Sequence, residues 1–179
     1  MGIVDALILA SRCLERRAWV ASLDSALHSN ILRPRQLSTV CASLAQPRRS
    51  WVDLADPRAE SGLESIARVI AKDLGFRVRS QVRIPGIGRV DLLVEDWIVV
   101  ETDGSAFHDV ALSARDRLRD ARLISAGRSV VRPGYSLVVH DPAAVAAELI
   151  GAVASHRRVA NSGEITRRAR RRFRELGFS

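Results

Sequence analysis

The chain contains almost no lysine: Lys72 is the only one, and arginine supplies the rest of the 28 basic residues. With 20 acidic residues, the formal net charge is +8 and the sequence pI is about 11.1. This excess of positive charge indicates an acidic partner, most simply the phosphates of a nucleic acid. A genome rich in G and C would also favour arginine over lysine, but it would not explain the excess of basic over acidic residues.

Cysteine and long apolar runs are scarce as well. Cys13 and Cys41 form no CxxC pair and lie in helical patterns away from other metal-ligating residues, so they indicate neither a disulfide framework nor a zinc site. No apolar run approaches the length of a membrane span. The N-terminal apolar run precedes the charged residues, which is the reverse of the order in a signal peptide. We therefore expect a soluble, cytoplasmic protein with no membrane partner.

The 179 residues suffice for one well-packed domain and a smaller appendage, and 47% of them are hydrophobic, enough for a core. Apolar positions at helical spacing predict helix between residues 3 and 28 and again over 33–44. Residues 45–62 break this pattern with prolines, glycine and charge. We predict three parts: an N-terminal helical segment (1–55), a main domain (56–156) and a basic C-terminal helix or tail (157–179).

The main domain is predicted to be α/β or α+β, with a mixed central sheet flanked by helices. Its first helix covers 61–74, where Ser61 and Glu64 fit a capping box and Gly75 fits a C-terminal stop. Alternation over 76–84 then predicts a strand with a basic outer face. The remaining predicted elements are strands over 89–94 and 97–101, a polar helix over 109–126, a strand over 129–132, a possible strand over 136–140 and a helix over 141–156.

Carboxylates interrupt two apolar runs that read as buried strands, although an unpaired buried carboxylate is unfavourable by several kcal/mol unless it is protonated. Asp91 lies in the first run, and Glu101 and Asp103 close the second. Asp91 shares a face with Glu101 only if the hairpin pairs them directly, which leaves residues 95–97 as a three-residue loop. A two-residue turn would pair Asp91 with Val100 and separate the acids, unless a bulge restores the match.

Converging carboxylates would form a site of hard oxygen ligands for Mg²⁺ or Mn²⁺, with Asp91, Glu101 and Asp103 as the ligands. Such an ion would offset the burial, polarise a phosphodiester and lower the pKa of a bound water. Glu64 could be an additional ligand or orienting residue, although a capping glutamate needs no catalytic role. His108 could act as a general base, although a lone histidine near a helix start is more often a cap or surface residue.

Arginines are the candidates for phosphate contact. In the predicted helix Asp116 lies three residues before Arg119 and four before Asp120, so a solvated, salt-bridged face is the ordinary interpretation of these residues. The alternative, a functional one, is that Arg119 or Arg132 contacts a phosphate of the nucleic acid. The tail places apolar residues at helical spacing among arginines that include Arg168 and Arg171. It could be a helix with a basic face for a nucleic acid backbone, or equally a frayed basic tail.

The runs ESGLES, GRVDLLV, VVETDGSAFH and RDRLRDARLISAGRSVVR, in this order, resemble the PD-(D/E)XK nuclease superfamily. They are most similar to an uncharacterised family allied to the very-short-patch-repair (Vsr-like) endonucleases. The resemblance covers roughly residues 60 to 150. The N-terminal segment resembles the region before this domain in actinobacterial proteins associated with AbiEi-type antitoxins.

The resemblance implies a metal-dependent endonuclease with a restriction-endonuclease-like core. Glu64 matches the helix glutamate, Asp91 the second-strand aspartate and Glu101 the third-strand acid. Asp103 stands where the superfamily has a lysine that positions water or stabilises charge on the phosphate, and an aspartate cannot stabilise that charge. The very-short-patch-repair group also lacks this lysine and uses nearby histidines, the more distal of which His108 matches.

Two functions are therefore expected. The first is a Mg²⁺- or Mn²⁺-dependent endonuclease or nickase that hydrolyses DNA phosphodiester bonds, in defence, mobile-element biology or repair. RNA is an alternative substrate, because phosphate recognition looks alike in sequence. The second is a catalytically inactive nuclease-fold module that binds DNA or acts like an antitoxin, with a protein partner or a second copy of the chain as further candidates.

Overall fold

The computed structural model describes residues 2–102, 114–156 and 161–178. The chain divides into two compact units, Met1–Val69 and Ile70–Ser179. The three-part division expected from the sequence stays a prediction.

In chain order the described elements are α1 (Ile3–Ala10), α2 (Arg16–His28), a 3₁₀ turn (Pro34–Gln36), α3 (Leu37–Ser43), a 3₁₀ segment (Gln46–Leu54), α4 (Gly62–Asp73), β1 (Val78–Ile84), β2 (Gly88–Val94), β3 (Ile98–Val100), α5 (Ala114–Ser125), β4 (Ser129–Val131), α6 (Tyr135–His140), α7 (Pro142–Ser155) and α8 (Ser162–Glu175).

Trp19 lies in the core of the N-terminal unit. It is fully buried, its Nε1 donates to the Leu7 carbonyl at 2.8 Å, and its ring centroid lies 5.7 Å from that of Trp51. The helical stretch expected between residues 3 and 28 is divided into α1 and α2. The apolar positions explain the break, because steps of three or four residues up to Leu14 give way to a step of five to Trp19.

A buried ion pair joins α2 to α4 within the same unit. Arg68 Nη2 donates to Asp24 Oδ2 at 2.6 Å, and each side chain is 1% exposed. The second carboxylate oxygen of Asp24 accepts from the backbone N–H of Asp56 at 2.7 Å. Burial raises the pKa of Asp24, and the positive charge of Arg68 opposes that rise. Removing either partner alone would leave a buried charge without compensation, which strongly destabilises a fold.

The C-terminal unit is built on a four-stranded mixed sheet in the order β1-β2-β3-β4. β1, β2 and β3 form an antiparallel meander, and β4 returns parallel to β3. A core cluster joins Ile84, Val90, Leu93 and Val99 of the strands to Leu123 of α5. The predicted class, a mixed sheet with flanking helices, is confirmed at this level.

The ends of α4 follow the chemistry that the sequence predicts. Ser61 Oγ accepts from the backbone N–H of Glu64 at 3.1 Å at the helix start. Gly75, at φ +79°, follows the last turn in the left-handed conformation that glycine adopts without strain. A side chain at position 75 would be strained there and would also approach Arg168, whose Nε lies 3.5 Å from the position of a Cβ.

The possible strand over 136–140 is wrong, because these residues belong to α6. A short apolar run does not distinguish strand from helix by its periodicity. Asp141 ends α6 and starts α7, where its side chain accepts from the Ala144 N–H at 3.0 Å. Because Asp141 is both the last cap of α6 and the first cap of α7, α6 is a short helix that ends where α7 begins.

The C-terminal arginine-rich segment forms α8. Of the two alternatives left open for it, a helix with an apolar stripe and a frayed tail, the structure has the helix. Its Thr166 and Ala169 are buried, and it packs against α7. In the part of the chain that the structure describes, no helix has the length and hydropathy needed to cross a bilayer.

Candidate active site

The β2–β3 turn sets the register on which the predicted site depends. Val94 pairs with Ile98, so residues 95–97 lie between the last paired positions. Glu95 and Asp96 are left-handed, with φ of 50° and 68°, and the Trp97 N–H donates to the Val94 carbonyl at 3.2 Å. Two left-handed central residues match the right-handed twist of a hairpin. Of the two loop lengths that the sequence left open, the structure has the three-residue loop, and Val100 pairs with Leu92 rather than with Asp91.

Arg77, directly before β1, and Arg79, within β1, hold this acidic turn. The Glu95 carboxylate, 2% exposed, accepts from the backbone N–H of Arg77 at 3.0 Å and from its Nε at 3.1 Å. Asp96 forms ion pairs with Arg77 at 3.1 Å and Arg79 at 2.6 Å. Because these contacts fix the turn to the neighbouring strand, they also fix the register of β3 against β2.

Asp91 and the segment after β3 meet at the other end of this pairing. Continuing the register by one residue past Leu92–Val100 places Asp91 opposite Glu101. β3 itself ends at Val100, one residue earlier than predicted. Asp91 Oδ2 accepts from the backbone N–H of Thr102 at 3.0 Å, so this carboxylate holds the chain where it leaves the sheet.

Glu101 faces two arginines. Its Oε1 lies 2.5 Å from Arg119 Nη1, an ion-pair contact without hydrogen-bond geometry. Its Oε2 accepts from Arg132 Nε at 3.1 Å and Nη2 at 3.0 Å. Arg119 also donates from Nη2 to the Arg89 carbonyl at 2.6 Å, which anchors it to β2. Positive charge from two elements therefore compensates a carboxylate whose side chain is only 15% exposed.

Asp120 completes this arginine–carboxylate network, which consists of Glu101, Arg119, Asp120 and Arg132. Arg132 Nη1 donates to Asp120 Oδ2 at 2.9 Å, and Nη2 contacts Oδ1. The hydrogen bond from Arg132 holds the pKa of Asp120 below its ordinary value, and the same bond raises the pKa of Arg132. The four side chains carry two charges of each sign, so the network is formally neutral.

The sequence patterns do not identify these four residues as one network, although the order of the strands contains a signal for it. β3 and β4 are parallel, with Val100 paired to Val131, so the residues that follow them, Glu101 and Arg132, leave the same edge of the sheet. Asp120 was expected in a salt-bridged helical face, but its partner here is Arg132, which follows β4.

The donor chemistry at this edge suits a hard cation, because Asp91 and Glu101 both offer carboxylate oxygens. Among the residues that the structure describes, no group of three or more His, Cys, Asp or Glu side chains could hold a metal ion. Asp103 and His108, the predicted third ligand and base, lie outside the described residues. An ion at Glu101 would also have to compete with two guanidinium groups.

Glu64 lies in the N-terminal unit, whereas Asp91 and Glu101 lie in the C-terminal unit, so its membership of one site with them stays a prediction. It is 5% exposed, and its Oε2 accepts from the backbone N–H of Glu60 at 3.1 Å. In a full capping box this carboxylate would accept from the N-cap residue, Ser61. The hydrogen bond supports a role at the start of α4, and the catalytic alternative stays open.

The predicted phosphate-binding arginines all have partners within the protein. Arg119 and Arg132 contact the network acids, as described above. Arg168 Nη2 donates to the Gly75 carbonyl at 2.8 Å and lies 3.8 Å from Glu95. Arg171 pairs with Glu175 at 3.6 Å.

Compared with known proteins, the chain matches no protein-family model, no curated protein and no solved structure.

Proposed function

We propose that this protein is a Mg²⁺- or Mn²⁺-dependent endonuclease that hydrolyses DNA phosphodiester bonds, with a restriction-endonuclease-like fold in its C-terminal unit. The observation that carries the proposal is the β2–β3 register, in which Leu92 pairs with Val100, so that positions 91 and 101 are next in line. The resemblance requires an aspartate in the second strand and an acid at the third. Asp91 lies in β2, and Glu101 directly follows β3. The order of α4, three antiparallel strands, α5 and a parallel β4 supports the same fold.

Asp91 and Glu101, with Asp103, would hold the divalent ion. When bound, the ion would supply Lewis-acid polarisation of the phosphodiester and a more acidic water. His108 is the proposed general base, in place of the family lysine that Asp103 replaces. Arg119 and Arg132 are the proposed phosphate contacts, because a guanidinium group binds carboxylates and phosphates with the same paired hydrogen bonds. A phosphodiester at this edge would compete with Glu101 for them.

A nuclease-fold module without turnover is the second candidate. The observation that favours it is the pairing of Glu101 with two arginines, which compensates the carboxylate without a metal. The aspartate in place of the family lysine favours it as well. This function requires DNA or protein binding that weakens with salt, without cleavage.

The test is cleavage of supercoiled plasmid with Mg²⁺ or Mn²⁺ by the wild type and by the D91A and E101A variants. We expect the wild type to produce nicked or linear DNA, and each variant to fall to the background of a reaction without protein. The matched control is Glu148→Gln, which removes an exposed carboxylate from α7 and should cut like the wild type. Cleavage that survives both active-site substitutions would contradict the proposal.

A further inference from the structure

The six arginines of α8 lie in different environments. Arg168 is directed towards its own unit, where it contacts the Gly75 carbonyl and Glu95. Arg171 and Arg172 share Glu175, at 3.6 and 3.7 Å. Each of these three arginines therefore lies within 4 Å of a carboxylate of the protein.

Arg167, Arg170 and Arg174 make up the other half of the set. All three are exposed, and their spacing of three and four residues places them along one face of the helix. In the described part of the chain, none of them forms an ion pair with an acidic side chain. We refer to these three side chains as the α8 arginine face.

An open groove of about 880 Å³ runs along this face. Its lining includes the three face arginines together with Arg168 and Arg171, with Phe173 as an apolar wall and Glu164 as an acidic member. Like charges at this helical spacing repel one another and destabilise a helix. Burial of Thr166 and Ala169, packing on α7 and the Arg168 anchor hold α8 in place against that repulsion.

We propose that the α8 arginine face binds the phosphate backbone of double-stranded DNA. The identity of the partner rests on the proposed function, and the face shares no residue with the carboxylates assigned to cleavage. A helix rises about 1.5 Å per residue, so the face extends over about 10 Å from Arg167 to Arg174. One DNA strand presents a phosphate about every 3.4 Å of duplex axis, so about three phosphates fall within this length. Such contacts are independent of base sequence and position the duplex.

The experiment measures binding of the full-length protein to a fluorescent DNA duplex in EDTA over a range of salt concentrations. Each phosphate contact contributes about 0.9 to the slope of log K against log salt concentration. The R167Q/R170Q/R174Q variant should therefore lose about 2.7 of that slope. The matched control is R12Q/R33Q/R35Q, which removes the same charge from exposed positions of the N-terminal unit and should keep most of the slope. Circular dichroism melting checks that both variants are folded.

An unchanged slope in the α8 variant, or an equal loss in both triple variants, would overturn the inference. Lysine at the same three positions should restore most of the affinity, since it keeps the charge. A stronger effect of the α8 variant on an RNA duplex than on DNA would overturn the choice of partner. The Glu148→Gln variant, changed at an exposed position of α7, should bind with the wild-type slope. If the protein binds DNA through the α8 arginine face but does not cleave plasmid, only the endonuclease proposal is contradicted. If it cleaves plasmid but the α8 variant keeps the wild-type slope, only this inference is contradicted.

Discussion

At the residue scale, Arg132 is the link between two acids that are far apart in the sequence. It contacts Glu101 after β3 and Asp120 in α5, and its side chain is 35% exposed. Partly exposed ion pairs contribute at most about 1 kcal/mol, because water screens them and ordering the side chains opposes them. The geometry nevertheless favours a measurable contribution, since the guanidinium group uses two nitrogens on the Asp120 carboxylate.

Asp120→Asn should lower the free energy of unfolding by about 1 kcal/mol at pH 7, because it removes the charge that Arg132 contacts. The pKa of Asp120 is lowered in the folded protein, so its contribution is present above the ordinary value of 3.8 and is lost as pH falls through the folded pKa. The difference between wild type and variant should therefore shrink below pH 3.8. Urea unfolding at several pH values measures it.

Glu148→Gln is the control for this measurement, because Glu148 is an exposed carboxylate of the same unit. Its substitution should leave stability nearly unchanged throughout the pH range. A constant difference between wild type and Asp120→Asn down to pH 2 would show that Asp120 stabilises the fold by some means other than its charge.

At the element scale, the β2–β3 turn is built from two acidic residues in a conformation that glycine or asparagine usually occupies. The contacts of these acids with Arg77 and Arg79 explain how the conformation is tolerated. Glu95 is buried against the Arg77 backbone, whereas Asp96 makes exposed ion pairs. The two neighbours therefore have the same backbone strain and very different side-chain environments.

Glu95→Ala should reduce the free energy of unfolding by about 2–3 kcal/mol, because it leaves the Arg77 N–H without its acceptor and removes a charged hydrogen bond. Asp96→Ala, the matched control at the next position, should reduce it by less than about 1 kcal/mol. Chemical denaturation of both variants provides the comparison. Equal losses would mean that backbone conformation, rather than burial of Glu95, determines the stability of the turn.

At the scale of the whole molecule, the charge of +8 and the carboxylate pair lead to opposite expectations about cations. The overall field repels a divalent ion, while Asp91 and Glu101 attract one. Only an ion bound at a specific site would stabilise the folded protein at millimolar concentration, because binding to the native state alone raises its stability.

The melting temperature of the full chain should rise on addition of Mg²⁺ or Mn²⁺. At a hundred times the dissociation constant the stabilisation is about 2.7 kcal/mol, which corresponds to about 5–10 °C for a chain of this size. The D91N/E101Q variant should show no rise. A wild type that melts at the same temperature with and without either ion would favour the module without turnover.

Much of the fold follows from patterns within short segments. Ser61 and Gly75 mark the ends of α4, and alternation identifies β1, because both signals depend on backbone geometry and nearest neighbours. From the sequence, convergence of the acids depends on one feature of the fold, the strand pairing that would place Asp91 opposite Glu101. The turn residues allowed either loop length, and ion pairs with Arg77, directly before β1, and Arg79 of β1 accompany the one observed.

By itself, then, the sequence determined the helices with clear caps, the three-strand meander, the positive charge and the acids that make a nuclease the proposal. The tertiary structure decided that residues 135–140 are helical and that Glu101 is compensated by Arg119 and Arg132. It also decided which arginines of α8 face away from internal acids. The physical reason is distance along the chain: these features arise between side chains from separate elements, which come together only when the sheet and its helices pack.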